Sequence, residues 1–301
     1  MHRAETNRGQ EASSKRGRGV CVAGAGTLAA VVFLGLLAWA VLPPAVGQLD
    51  SLQHIVAMGG SAKAVVPVPI GPRTRNFLID RDTWGNWRYA TPLAVLFLPI
   101  RSVTLWPQCD EHNIGALRGF RSLQSLTIFR SLFSRKEMKI IGSIRSLRVL
   151  VLRGKVAGGG ISYLEGCRSL RQLTLIDMKV DDRDVADLTA LAHIHRLGLP
   201  FTGIGNGIFA VLARFPRLTQ LSLAGDNITD SGLRQLCQLS DIRRLDISRT
   251  AATDSGLMEL KRMPHLSTLF LAGTRCTGTG IKKLMRARPT LRVDASTFSS
   301  F

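Results

Sequence analysis

Apolar residues recur along this chain with a long, strict period. When 218–241, 242–265 and 266–290 are laid over one another, Leu221, Leu245 and Leu269 coincide. So do Leu223, Ile247 and Leu271, then Gly232, Gly256 and Gly280, then Leu236, Leu260 and Leu284. The same LxxLxL signature runs backwards through Ile194-Leu197-Leu199, Leu170-Leu173-Leu175, Leu147-Leu150-Leu152 and Leu123-Leu126-Ile128. A degenerate copy stands at Ile100-Val103-Leu105, and a partial one at Leu291-Arg292-Val293 closes the series. Eight copies thus follow one another at spacings of 23 or 24.

Within a copy the period changes from 2 to 3.6. LxL alternates, which predicts a short strand with both apolar residues on one face. Further on, apolar residues fall at helical spacing: Leu233 with Leu236, Leu257 with Leu260, Val185 with Leu188, Met138 with Ile141. Thr229-Asp230, Thr253-Asp254 and Ser134 precede those helices as N-caps, and Ser134 with Glu137 forms a capping-box pattern. Each copy therefore reads as strand, turn, short helix and return. A unit of this size buries too little apolar surface to offset the ordering of its backbone, so the copies must stack.

This pattern resembles the leucine-rich repeat family. It is closest to the ITDxGLxxL subtype of bacterial envelope proteins and of the cysteine-containing repeats of F-box proteins. The resemblance covers about 100–293 and is strongest in 218–284. It implies an α/β solenoid, a horseshoe with a parallel concave sheet and short convex helices. It also implies protein recognition and no catalytic chemistry. Family repeats carry Asn or Cys in the turn after the strand; here Thr202, Asp226, Thr250 and Thr274 stand there, and their side chains are expected to bond neighbouring turn backbone.

The charge pattern changes the picture at the amino terminus. Residues 1–18 hold Arg3, Arg8, Lys15, Arg16 and Arg18 against Glu5 and Glu11, and no charge occurs from 19 to 49. The run 20–42 is long enough as a helix, at ~1.5 Å per residue, to cross a ~30 Å hydrocarbon core. Trp39 sits near one end, and Pro43-Pro44 stop the helix. Basic residues before the run predict a cytoplasmic amino terminus and an exported remainder. A cleaved signal peptide is the alternative, with small-x-small sites at Ala38-Trp39-Ala40 and Ala45-Val46-Gly47. A dinucleotide reading of VCVAGAGTLAA fails because the helix after it would be apolar all round.

The expected division is a basic cytoplasmic tail (1–18), a transmembrane signal-anchor helix (19–43), a linker and amino-terminal cap (44–99) and the repeat domain with a carboxyl-terminal cap (100–301). In the cap region, Leu49, Leu52, Ile55, Val56 and Met58 predict one helical face ended by Gly59-Gly60. The stretch 62–70 carries Pro67 and Pro69 and is expected as an edge strand at best. Trp84-Gly85, Trp87 and the apolar run 93–98 lead into the first repeat, an order similar to the leader of membrane-tethered bacterial leucine-rich repeat proteins. Phe298 and Phe301 are expected to cover the last core.

Composition narrows the chemistry. The 301 residues carry 40 Lys and Arg against 21 Asp and Glu, a net charge of +19, which favours acidic proteins and other polyanions. Five Cys are too few for a disulfide scaffold, and no CxxC pair is present. Cys167 and Cys276 fall at inward positions and read as small core residues. His193 and His265 share one repeat position three repeats apart, about 14 Å at strand spacing, too far for one metal ion. With His195 they are the only candidate general bases, and they read as surface residues. Gly203, Gly205 and Gly207, and likewise Gly158–Gly160, read as tight turns, because no Lys-Ser/Thr follows them. No catalytic site, cofactor or metal is expected. Basic runs at 118–155 and 261–292, with an acidic stretch at 177–187 between them, fall largely on the helical side.

The residue after each LxL should face outward on the sheet: Trp106, Phe129, Arg153, Ile176, Pro200, Ala224, Ser248 and Ala272. The first four are large. Thr127, Val151 and Thr174 stand in the row beside them. Aromatic and Arg side chains on a rigid surface make interface hot spots. The expected partner-binding residues are therefore Trp106, Thr127, Phe129, Val151, Arg153, Thr174 and Ile176, and the expected partner is a protein. An alternative is that the cap, with Trp84 or Trp87, covers Trp106 and Phe129. A basic, envelope polyanion-binding role is the second function, with an anionic polymer or lipid head groups as the ligand. Nucleic acid is disfavoured for an exported domain.

Overall fold

The computed structural model describes residues 61–70, 73–78, 100–107, 111–156 and 160–296. The expected anchor helix, the helical face at 49–58, Trp84, Trp87, the run 93–98, Phe298 and Phe301 lie outside them. Among the described residues no helix is long and apolar enough to cross a membrane.

Among the described residues eleven strands form one sheet. β1 (Ser61–Ile70) and β2 (Arg73–Leu78) precede nine strands that follow the repeat. These are β3 (Ile100–Leu105), β4 (Ser125–Phe133), β5 (Val149–Val156), β6 (Gln172–Ile176), β7 (Arg196–Gly198), β8 (Gln220–Ser222), β9 (Arg244–Asp246), β10 (Thr268–Phe270) and β11 (Arg292–Asp294). The order is β11-β10-β9-β8-β7-β6-β5-β4-β3-β1-β2, and β3 to β11 pair in parallel, each with its sequence neighbours. The register matches the sequence alignment, with Leu221 opposite Leu245 and Leu245 opposite Leu269. Both leucine columns point into the core: Leu221, Leu245 and Leu269 have no exposure, and Leu223 and Ile247 have none either. Cys167 lies in the same core, where burial pushes its thiol up to about 12.

β1 departs from the expectation of an edge strand. It lies inside the sheet, antiparallel to both neighbours, yet its pairing is divided. Ser61–Ala64 pair with β3, and Val65–Ile70 pair with β2 alone. Pro67 and Pro69 therefore fall where only one side is bonded, so their missing N–H groups remove no ladder bond on the β3 side.

Short helices follow the strands: α1 (Glu111–Ala116), α2 (Arg135–Gly142), α3 (Asp182–Asp187), α4 (Ile208–Leu212), α5 (Asp230–Leu236), α6 (Asp254–Glu259) and α7 (Gly278–Ala287). Ser134 and Glu137 form the expected capping box on α2. A second one joins Asp181 to Asp184 on α3, which accounts for part of the acidic stretch. Thr253 caps α6 and Thr277 caps α7, whereas Thr229 makes no side-chain cap to its own helix.

The caps are also linked from repeat to repeat. Thr253 donates its N–H to Asp230 Oδ1 (2.8 Å) and its hydroxyl to Asp230 Oδ2 (2.6 Å). Thr277 does the same with Asp254 (2.7 and 2.6 Å), and those two bonds hold the Asp254 carboxyl below the usual carboxylate range. One repeat earlier, Thr229 N–H donates to Asn206 Oδ1 (3.1 Å). A Cβ at Gly232, Gly256 or Gly280 would overlap the Asn206, Asp230 or Asp254 side-chain oxygen, so glycine there makes room for the link. The Thr-Asp-x-Gly pattern is thus one device spread over two repeats. In α7 the Asp position is Gly278.

The turn residues divide. Asp226 Oδ1 accepts from Thr202 N–H (2.8 Å), Gly203 N–H (2.9 Å) and the Thr202 hydroxyl (3.2 Å), reaching the preceding repeat as expected. The three threonines instead close their own turns: Thr202, Thr250 and Thr274 donate to Leu199, Ile247 and Leu271 carbonyls. The second oxygen of Asp226 is buried without a partner, and burial pushes the group up to about 6.

This carboxyl titrates lower, near 3.9, in the unfolded chain. The folded state therefore binds the proton more tightly, and the contribution of Asp226 to stability is largest below pH 4. It is lost as pH rises towards 6, by roughly 1–3 kcal/mol. Asp226→Asn should remove that slope and raise the unfolding midpoint at neutral pH. Denaturant melts of both proteins at pH 4.5 and 7.5 test this, and identical pH slopes would show that Asp226 does not titrate in the window.

Candidate functional site

The seven predicted residues share the sheet face opposite the leucine core. Trp106 and Arg153 are exposed, and Thr127, Phe129, Val151, Thr174 and Ile176 are half-buried. Phe129 stands opposite Arg153 and Arg153 opposite Ile176; Thr127, Val151 and Thr174 form the parallel row. The Trp106 and Phe129 rings stack, with centroids 5.2 Å apart and planes at 14°. Trp106 keeps 44 % of its surface exposed, so the stacked pair is open to solvent.

Beyond this row the sequence pattern missed a feature. β4 and β5 run on past the point where the other strands end. Phe129 pairs with Arg153, then Leu132 with Lys155 and Phe133 with Val156. A bulge lets Arg130 and Ser131 oppose Gly154 alone. Gly154 adopts φ 138°, and a Cβ there would overlap the Arg130 carbonyl oxygen. The ribbon is anchored by Phe133, fully buried, and by an ion pair from Arg130 to Glu137. Glu137 is itself buried and accepts from Ser134 N–H (2.7 Å) in the capping box.

The ribbon and the stacked rings line a cleft of about 820 Å³. Trp106, Pro107 and Phe129 line one part, and Arg130, Leu132, Arg153, Lys155 and Asp177 line others. Of the predicted residues, Trp106, Phe129 and Arg153 meet in it; Thr127, Val151, Thr174 and Ile176 lie on the same face outside its lining. Leu132 is 51 % exposed, a large apolar surface for a soluble face. Arg130 is engaged by Glu137, and among the described residues Arg153 and Lys155 form no ion pair. Asp177 is the one carboxylate of the lining. The only sequence signals for this ribbon were Gly154 and the apolar residues Phe133 and Val156, which extend the strand pattern beyond LxL.

The carboxyl-terminal half of the outward row differs from the expectation. Ala224, Ser248 and Ala272 are buried. Phe201 and Arg249 both take φ near +60° just after their strands, and the Arg249 guanidinium lies 5.8 Å from the Phe201 ring centroid. Arg244 sits 4.9 Å from the Phe270 centroid, so Phe270 is buried although strand alternation puts it outward. Arg196 bridges Gln220 (2.6 Å) and Gln172 (3.3 Å). In this half the small outward residues are buried, while Phe201 keeps 45 % of its surface exposed beside Arg249.

The other candidates lie elsewhere. His193, His195 and His265 are all exposed, and His193 Nδ1 is 3.1 Å from an Arg217 nitrogen. No group of three metal-ligating side chains occurs among the described residues.

No family model matches the chain, and no curated protein matches it. Solved structures similar to it include internalin C2 from Listeria monocytogenes, at 19 % identity and a TM-score of 0.46. That match covers 65 % of this chain and 81 % of internalin C2. Another is a protein from Bacteroides fragilis, at 16 % identity and a TM-score of 0.45, covering 67 % of each chain. The fold assignment rests on this chain's own strand register and leucine columns. The described sheet is an open solenoid of parallel strands stacked on two leucine columns.

The bulge makes Gly154 the point on which the cleft depends. Gly154→Ala should destabilise the protein by roughly 1–3 kcal/mol through backbone strain and disturb the ribbon without touching the leucine columns. Hydrogen exchange is the readout: faster exchange confined to Arg130–Phe133 and Arg153–Val156 is expected, and unchanged exchange there would mean the bulge tolerates a side chain.

Proposed function

We propose that this chain is a membrane-anchored, non-enzymatic recognition scaffold that binds a protein partner around Trp106, Phe129 and Arg153. The observation that carries the reading is the open stacked pair Trp106–Phe129 beside a cation, Arg153, that holds no ion pair among the described residues. Rigid aromatics next to Arg are the usual makings of a binding hot spot. Arg153 is paired on both sides in the sheet and Phe129 is paired to β5, so little ordering entropy is lost when a partner docks. The reading takes the repeats as the ITDxGLxxL subtype, supported by the Thr-Asp-x-Gly links. The anchor is the uncharged run 20–42, with the basic tail inside and the repeats on the extracytoplasmic side.

A second reading, an envelope polyanion binder, is favoured by the net charge of +19 and by exposed Lys282, Lys283 and Arg286 on α7. Such binding would weaken steeply with salt.

Crosslinking in intact cells, followed by identification of the captured protein, separates the two. Phe129→Ala with Arg153→Ala should abolish capture while the circular dichroism of the purified protein stays unchanged. Lys282→Ala with Lys283→Ala should leave capture intact. Equal loss from both pairs would favour the polyanion reading. Protease added outside spheroplasts should digest the repeats and spare 1–18; a protected repeat domain would overturn the orientation.

A further inference from the structure

The recognition reading leaves open what kind of segment the cleft accepts, and the strand pairing bears on it. β3 pairs with β4 only as far as Leu105 opposite Ile128, and Pro107 follows two residues later. β4 continues to Phe133 with β5 on its other side. From Phe129 to Phe133, no strand among the described residues pairs with β4 on the β3 side. Among the described residues the cleft therefore has an unpaired strand edge as one wall, the stacked Trp106 and Phe129 rings as another, and exposed Leu132 along the rim. Open edges of this kind add strands from other chains, and natural proteins otherwise blunt or cover them. Charge selects among the chains that could be added. Arg153 and Lys155 are exposed and in no ion pair among the described residues, while Arg130 already holds Glu137. Asp177 lies on the β6 side of the same lining, away from the β4 edge.

We propose that the cleft binds an extended acidic peptide segment of the partner, added as a strand to the Phe129–Phe133 edge of β4. One of its apolar side chains packs on Trp106 and Phe129, and its carboxylates face Arg153 and Lys155. The inference rests on the recognition reading and adds to it the conformation and charge of the partner. Main-chain hydrogen bonds to β4 give sequence-tolerant affinity, and the ring pair and the two cations select apolar and acidic residues at alternate positions. A second copy of this chain is a poor occupant, since its net charge of +19 opposes the charge of the cleft. An anionic membrane surface would satisfy the cations but neither the strand edge nor the rings.

The experiment uses the full chain in nanodiscs of neutral lipid and a phage-displayed library of random peptides. Selected peptides should be enriched in Asp and Glu with an apolar or aromatic residue among them. The tightest of them, made synthetically, should lose at least about tenfold in affinity on Arg153→Glu, a change of about 1.4 kcal/mol. Replacing its acidic residues by Lys should restore binding to that variant. N-methylation of alternate backbone amides should abolish binding if the peptide is added as a strand. Arg153 is exposed, so Arg153→Glu does not put folding at risk, and Leu132→Asp provides a second variant on the rim. Enrichment without acidic bias, or affinity indifferent to N-methylation, overturns the proposal. If peptides fail yet capture in cells is still lost in the Phe129 and Arg153 variants, the recognition reading stands and the extended-peptide inference falls. If capture is indifferent to those variants, the recognition reading itself falls.

Discussion

Every strand in the parallel sheet depends on leucines contributed by its neighbours. Leu245 is sealed from water because Leu221 and Leu269 lie in register on either side, and the same holds along the second column through Leu223 and Ile247. A repeat of about 24 residues has no second layer of its own to close over these side chains. Stability is therefore a property of adjacency. The constraint fixes strand register, since a slip of one residue would turn both leucine columns out of the core. It also fixes where side chains can face a partner, because alternation leaves only the residues flanking each leucine for the open face.

Leucine stacking aligns the strands but leaves the helical side to be held by other means. The repeats solve this with polar links that run forward by one repeat, from Asp230 to Thr253 and from Asp254 to Thr277, each accommodated by a glycine. A parallel device acts in the turns, where Asp226 gathers the N–H groups of Thr202 and Gly203. Its cost is a buried carboxylate with one unsatisfied oxygen. Donors that would otherwise be orphaned at helix starts and turns are in this way used to join one repeat to the next.

The open part of the face lies where the repeat is least regular. From β7 to β11 the strands are three residues long, Arg249 lies by the Phe201 ring and Arg244 by the Phe270 ring, and the small residues of the outward row are buried. At β4 and β5 the strands lengthen past a bulge, Trp106 stays exposed and Phe129 half-buried, and both line the cleft. Regularity builds the scaffold, and departure from it builds the cleft.

The repeat period, the parallel register, the inward leucines and the caps at Ser134 and Thr253 were legible in the sequence, because each depends on residue spacing that stacking simply copies from one repeat to the next. The outward positions of Trp106, Phe129 and Arg153 were legible for the same reason, since alternation is a local rule. Tertiary structure decided the rest. That Asp230 and Asp254 bond the following repeat, and that Gly256 and Gly280 exist to admit them, depends on a side-chain reach between chain segments 23 residues apart. Ala224, Ser248 and Ala272 are buried although alternation puts them on the outward face, and no alternation rule carries that information. The ribbon required Gly154 to meet the Arg130 carbonyl across a strand pair, a contact between two repeats that the pattern within either one does not contain.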